Sequence, residues 1–212
     1  MFEQTLSTDA KSNLAAVGQT VLAGKFYLAG GSAVALHLGH RFSFDLDFFC
    51  TEHFSIDEVL QTLKGLGSLE TYQASADTFN GKLNNLRISF FIYPYPVLEP
   101  FQLYSNIRIA SLMDLAAMKI DAITRRGTKR DFVDLFFISQ HKFPIEKAIE
   151  LYFNKFHEFN ISPVHVYKSL MYFDDAEPQE MPQMIAKSNW KEIKTFFLRE
   201  GQALYRSRIA KS

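Results

Sequence analysis

The chain has 212 residues, enough for one domain with an appendage or two small ones, and at 47% hydrophobic, with 21 Phe and 9 Tyr, it can bury a sizeable core. Its 23 basic and 23 acidic residues cancel, which excludes a wholesale electrostatic nucleic-acid binder and leaves only local basic patches for such contact. No apolar run approaches the roughly 18 residues of a membrane span, the opening MFEQTLSTDAKSNLAAVG lacks the basic and apolar regions of a secretory signal, and a single cysteine, Cys50, excludes an internal disulfide framework. A soluble, cytoplasmic protein without a membrane partner is expected.

In chain order, TDAKSNLAAVGQTVLAG reads as a first helix, capped by Thr8 or Asp9 and closed by Gly24. KFYLAG is a short apolar strand, GSAVALHLGH a short helix from Ser32 to about Gly39, and FSFDLDFFC a second strand. SIDEVLQTLKGLG is an amphipathic helix with Ser55 and Glu58 in capping-box spacing. LETYQASAD and LNNLRISFFIYP read as later strands, the second rich in aromatics that suit a covered sheet. Then the period changes. SLMDLAAMKIDAITRRG is a helix with Ser111 as N-cap and Gly127 as stop, and TKRDFVDLFFISQHKF is another that ends before Pro144. PIEKAIELYFNKF starts with proline at its first position, and SPVHVYKSLMYF and NWKEIKTFFLREGQALYRSRIA complete a helical region. The order predicts an α+β fold: a small mixed sheet flanked by helices over residues 1–140, followed by a helical C-terminal region, 141–212, packed on it.

The second strand carries the first chemical signal. Residues two apart on a strand face the same way, so Ser43, Asp45, Asp47 and Phe49 share one face, and Phe44, Leu46 and Phe48 share the other, expected to be the core face. Two neighbouring carboxylates repel unless a cation lies between them. Mg²⁺ takes oxygen ligands and is commonly held by one or two carboxylates plus substrate phosphates. Asp45 and Asp47 therefore suit half of a Mg²⁺–nucleotide site; the competing reading is a half-exposed strand with two solvated acids.

Gly30 and Gly31 end the first strand, and Ser32 opens a helix. Glycines let backbone N–H groups approach a ligand, and a helix N-terminus attracts phosphate. The plainer reading is a tight turn with Ser32 as N-cap. Arg41 is a candidate for a triphosphate contact, or a solvated arginine after a helix end. Ser43, beside Asp45, is a candidate phosphorylation switch or an ordinary serine at the start of a strand. His37 and His40 lack a Cys or third His nearby that would make a zinc site.

Strand, Gly-Gly-Ser, short helix, then a strand with alternating acids resembles the nucleotidyltransferases built on the DNA-polymerase-beta-like core. The longer string GGSAVALHLGHRFSFDLDFF more closely resembles the AbiEii/AbiGii toxin branch. That branch also carries a helix with an internal lysine and then an Arg-Asp-x-x-Asp helix, matched here by DLAAMKIDAITRRG and KRDFVDLFF, so the resemblance spans about residues 26–137. It implies Asp45 and Asp47 as metal-holding catalytic acids, Gly30, Gly31 and Ser32 under the phosphates, Lys119 as a phosphate or active-site lysine, and Asp131 as a catalytic acid or base facing Asp45 and Asp47.

Two of these residues have local readings of their own. Leu112, Leu115, Ala116, Lys119 and Ile123 follow the spacing of one helix face. A lysine on that apolar face must snorkel or meet negative charge. Asp131 lies at the N3 position of a capping box if Thr128 is the N-cap, and it shares a face with Asp134. Arg130 could pair with either acid or contact phosphate. One departure stands out: the strand LNNLRISFFIYPYP lacks the third carboxylate of many superfamily members, with Glu99 just beyond it and Asp77 well before it.

These features predict a Mg²⁺- or Mn²⁺-dependent enzyme that moves a nucleotide from an NTP to an acceptor hydroxyl. The resemblance further implies a toxin of a toxin–antitoxin or phage-defence pair, with a separate antitoxin partner and RNA, tRNA in particular, as acceptor. Two basic stretches could meet RNA: Arg125–Arg130, and a C-terminal set of Arg199, Arg206, Arg208 and Lys211. The alternatives are a catalytically weak or inactive nucleotide-binding module that acts through a protein partner, and an enzyme that modifies a small molecule such as a drug.

Overall fold

The computed structural model describes residues 1–209 and forms two compact units, Met1–Ser111 and Leu112–Ser212. Lys211 of the expected C-terminal basic set lies outside the described residues, and so does the side chain of Arg208.

The first unit is built on β1 (Tyr27–Ala29), β2 (Asp45–Cys50), β3 (Leu69–Ser75), β4 (Thr78–Leu83), β5 (Leu86–Ile92), β6 (Gln102–Tyr104) and β7 (Ile107–Ile109). They make one mixed seven-stranded sheet in the order β3-β4-β5-β2-β1-β7-β6. β2 runs antiparallel to β1 and parallel to β5. LNNLRISFFIYP is not one strand. It holds the end of β4, a two-residue turn at Asn84–Asn85 and then β5. Both asparagines have positive φ, as do Ser105 and Asn106 between β6 and β7, which is the mirror-image turn that matches hairpin twist.

The first predicted helix is two: α1 (Thr8–Gly18) and α2 (Leu22–Lys25). Its cap is Ser7, not Thr8 or Asp9; the Ser7 hydroxyl accepts from the Ala10 N–H at 3.1 Å. Thr20 breaks the run. Its hydroxyl donates to the Val17 carbonyl at 2.7 Å and accepts from the Leu22 N–H at 3.2 Å, the local competition with the helix ladder that threonine is prone to. Gly24 consequently lies inside α2 instead of closing a long helix.

α3 (Gly30–Leu38) starts two residues before Ser32, and Gly39 in the left-handed region stops it. α4 (Ile56–Leu66) has the expected cap, with Ser55 accepting from the Glu58 N–H at 3.3 Å. On β2, Leu46, Phe48 and Cys50 are buried and the alternate positions are half-buried. Phe48 stacks on Phe90 of β5, with centroids 4.8 Å apart. Phe44, expected on the core face, is 52% exposed, because it precedes the strand proper and is not bound by the alternation.

The second unit is helical: α5 (Leu112–Arg125), α6 (Lys129–His141), α7 (Ile145–Lys155), α8 (Pro163–Leu170) and α9 (Trp190–Ile209). Phe132 is its aromatic hub, with ring centroids of Phe173, Trp190 and Phe197 at 5.1, 5.9 and 5.2 Å. α5 packs against both α6 and α7, and the buried Lys155 ammonium meets Asp114 at 2.8 Å between α7 and α5. The compact units divide after Ser111, and a boundary after residue 140 lies within the last turn of α6. Among the described residues no helix is long and apolar enough to cross a membrane.

Candidate active site

In the first unit, Gly30 to Asp47 form one interlocked set. Gly30 has φ +66, and a Cβ there would lie 2.9 Å from Asp47 Oδ2. A glycine at this point satisfies both the backbone angle and the close approach of the acid. Ser32 is fully buried and donates its hydroxyl to the Asp45 carbonyl. It is a tether between α3 and β2, not the N-cap expected from sequence; that position belongs to Ala29, which has no side-chain cap.

Arg41 is buried, not solvated. Its Nη1 donates to the Phe42 carbonyl at 2.9 Å and reaches Ser43 Oγ at 3.5 Å. Ser43 in turn donates to Asp45 Oδ1 at 3.2 Å. Arg41, Ser43 and Asp45 thus form a short chain of hydrogen bonds. At 2% exposure Ser43 is closed to a kinase, and its hydroxyl serves to orient Asp45.

A Cβ at Gly31 would overlap the Nη2 nitrogen of Arg41. Gly31→Ala is expected to displace this flexible guanidinium without unfolding the protein. The thermal midpoint should stay within a few degrees of wild type, and if Arg41 contacts phosphate, affinity for an NTP falls by roughly the tenfold of one lost charge-assisted contact. Isothermal titration with an NTP checks it; unchanged affinity would remove Arg41 from the nucleotide site.

Asp45 and Asp47 are half-buried on one face of β2, the chemistry that suits an oxygen-loving divalent cation completed by phosphates. Their register partners on β5 are Arg87 and Ser89, so the neighbouring strand supplies no acid opposite them. Asp77 lies instead before β4, 3.3 Å from His53 Nδ1. Among the described residues no group of three or more His, Cys, Asp or Glu is placed to hold a metal, His37 and His40 included. His37 Nε2 sits 2.8 Å from the Ala110 carbonyl.

In the second unit, the Lys119 ammonium is buried with Leu115, Ala116 and Ile123, as its helix face requires. It meets negative charge there: Asp131 Oδ1 at 2.9 Å and Asp134 Oδ2 at 2.7 Å. Thr128 precedes α6 as expected but makes no side-chain cap; its hydroxyl donates to Asp131 Oδ2 at 2.6 Å. Arg126 Nε adds a charge 3.4 Å from the same oxygen. Burial alone would raise the Asp131 carboxyl, but the charges of Lys119 and Arg126 and the bonds from Thr128 and Lys119 outweigh it and hold the group below the ordinary carboxylate range. Sequence places Arg126 only in the basic stretch Arg125–Arg130 and does not link it to Asp131. Its signal was slight, one arginine in a basic turn five residues before an acid. Arg130, on the first turn of α6, is exposed.

These two sets belong to a known fold. The nucleotidyltransferase toxin MenT4 of Mycobacterium tuberculosis H37Rv aligns over 92% of this chain and 81% of its own at TM-score 0.62 and 16% identity. The Helicobacter pylori protein JHP933 aligns over 97% and 96% at TM-score 0.55 and 16% identity. The fold is that of a nucleotidyltransferase. The family model described as nucleotidyl transferase AbiEii toxin, type IV TA system, matches residues 14–83 and 90–209, and the chain belongs to that family. An uncharacterized protein of Aquifex aeolicus (strain VF5), aq_aa25, is 35% identical over 203 residues, which are 92% of this chain and 95% of that one.

Proposed function

We propose that this toxin-family nucleotidyltransferase is an active, Mg²⁺-dependent enzyme that transfers a nucleotide from an NTP to a hydroxyl of RNA, with tRNA the leading acceptor. The observation that carries it is the interlocked set Gly30, Gly31, Ser32, Arg41, Ser43, Asp45 and Asp47. An anion cradle and a pair of carboxylates are held together by the Ser32 bond to the Asp45 carbonyl and by the close fit of Gly30 against Asp47. Two carboxylates on one strand face suit a divalent cation completed by the phosphates of a bound NTP.

Asp45 and Asp47 would hold the Mg²⁺ or Mn²⁺, which when bound polarises the reacting phosphate. Gly30, Gly31 and Ser32 at the start of α3, with Arg41, receive the phosphates of the NTP. Ser43 orients Asp45 through its hydrogen bond. In the second unit, Asp131 is assigned to the acceptor hydroxyl, which would reach Oδ2 by displacing the exposed Arg126, whose Nε lies 3.4 Å from it. A carboxylate held below its ordinary range is a weak proton acceptor but a dependable hydrogen-bond acceptor. Lys119 acts through Asp131, keeping it ionised. Arg130 is assigned to phosphate. The family makes an antitoxin protein the expected partner, in the manner of a toxin–antitoxin or phage-defence pair.

Incubation of the purified protein with each labelled NTP, Mg²⁺ and total RNA tests the reading. Label is expected in RNA, absent when EDTA is added. Label in a small molecule instead would move the acceptor to the drug-modifying class, and label in nothing, with nucleotide still bound, would leave a binding module.

A further inference from the structure

The helical unit carries a feature that the transfer chemistry does not use. A cleft of about 330 Å³ is lined by Arg125 at the end of α5 and Arg126 just beyond it, by His165 and Lys168 from α8, and by Tyr172 and Asp175 after α8. The side chains of Arg125 and Arg126 are 66% and 67% exposed, and Tyr172 is 53% exposed, an unusual setting for a large aromatic. Both arginines are anchored from beneath through Nε: Arg125 lies 3.0 Å from each Asp121 oxygen, and Arg126 lies 3.4 Å from Asp131. Such a tether fixes the plane of the guanidinium fork, the shape that suits a phosphate.

The cleft combines an apolar lining, Ile123 among it, with charged side chains. Among the lining residues Arg125, Arg126 and Lys168 are permanent cations and Asp175 is a carboxylate, while Asp121 and Asp131 beneath offset part of the charge of the two arginines. The Asp174 charge, with burial and Asp175 adding to it, raises the Tyr172 hydroxyl, which stays a neutral donor. Phosphate is favoured beside the cations and disfavoured beside Asp174 and Asp175, which act on Tyr172, where an uncharged base with N–H edges is tolerated.

We propose that this cleft seats a step of single-stranded RNA, with the phosphodiester on Arg125, Arg126 and Lys168 and an unpaired base stacked on Tyr172. This rests on the reading that the acceptor is RNA, and it assigns that acceptor a docking site. Arg126 touches both the cleft and Asp131, so the residue that grips the RNA backbone also borders the acid assigned to the acceptor hydroxyl. A flat aromatic face accepts any base, so the site reads strandedness more than sequence.

The test is fluorescence anisotropy of the full chain with a labelled single-stranded RNA over a salt series, without NTP. Lys168→Glu should weaken binding and flatten the salt dependence by about 0.7 or more in slope, the share of one phosphate contact on a single strand. Tyr172→Ala should weaken binding roughly 5- to 100-fold with the slope unchanged, and should leave the weaker binding of a matched duplex as it was. Circular dichroism confirms that both variants are folded. Wild-type affinity and slope in both variants, or no binding of single-stranded RNA by the wild-type protein, overturns the cleft. Asp45→Asn separates the two ideas, since it should bind RNA normally. RNA binding lost in the cleft variants, with no nucleotide transfer by wild type, would sink the transfer reading and leave the cleft standing. Transfer intact, with binding unmoved in the cleft variants, would sink the cleft alone.

Discussion

Asp45→Asn and Asp47→Asn should each lower Mg²⁺-dependent nucleotide transfer by on the order of 10²–10³-fold or more, the scale of losing one electrostatic contact to the reacting phosphate, while the fold survives. Each exchange keeps the size of the side chain and removes one of two like charges on the same face of β2. Without Mg²⁺ that repulsion is uncompensated, so the apoprotein should be as stable as wild type or slightly more stable. The two variants should differ in one respect. Asp45 accepts from Ser43, which is linked to Arg41, so Asp45→Asn also disturbs the hydroxyl chain beside the phosphate cradle. Asp47 packs instead against Gly30. Asp45→Asn is therefore expected to raise KM for NTP more than Asp47→Asn does. Measured transfer at several Mg²⁺ concentrations decides it. Full activity in both variants would dispose of this pair as the metal site.

Lys119→Met should be the most destabilising single change among the candidate residues. It keeps the apolar stem and removes the ammonium that faces two buried carboxylates. Breaking one side of a buried ion cluster typically costs about 3–5 kcal/mol, because the charges left behind have lost their partner. Asp131 keeps Arg126 and Thr128, which pulls the expectation toward the lower end.

The pH dependence carries the signature. Asp131 is held below its unfolded range, so in the wild type its contribution is present above the ordinary carboxylate range and is lost as pH falls through the lower folded value. In Lys119→Met that carboxyl rises, and the contribution disappears at higher pH. The stability gap between wild type and variant should thus be widest near neutral pH and should close in acid below about pH 4. Urea melts across pH measure it. A constant gap would mean that lost packing, not charge, is responsible. A variant as stable as wild type would show that the ammonium contributes nothing to the fold.

Much of this protein was readable without coordinates, for reasons that can be named residue by residue. Ser55 and Glu58 formed their cap because that motif involves only neighbours in the chain. Leu46, Phe48 and Cys50 face inward because a strand alternates whatever it packs against. Lys119 had to snorkel or meet negative charge because an apolar helix face offers no water, and the structure selects the second. The ordered motifs from Gly30 to Asp134 pointed to a nucleotidyltransferase of the toxin family, and the fold and family agree.

What the chain alone could not decide were contacts between residues far apart in sequence, or competing local bonds of nearly equal strength. Ser32 had two good uses, a cap and a tether, and only the arrival of the Asp45 carbonyl beside it selected the tether. Thr20 tipped a continuous apolar pattern into two helices through a pair of hydrogen bonds worth little more than the ladder they replace. Phe44 obeyed no alternation because β2 begins one residue later. The ion cluster of Lys119, Arg126, Thr128, Asp131 and Asp134 required α5 and α6 to pack at one particular rotation. The cleft lined by Arg125 and Tyr172 required α5 and α8 to come together across more than forty residues of chain. Sequence period dictates which way a side chain faces on its own element, and tertiary packing dictates what it finds there.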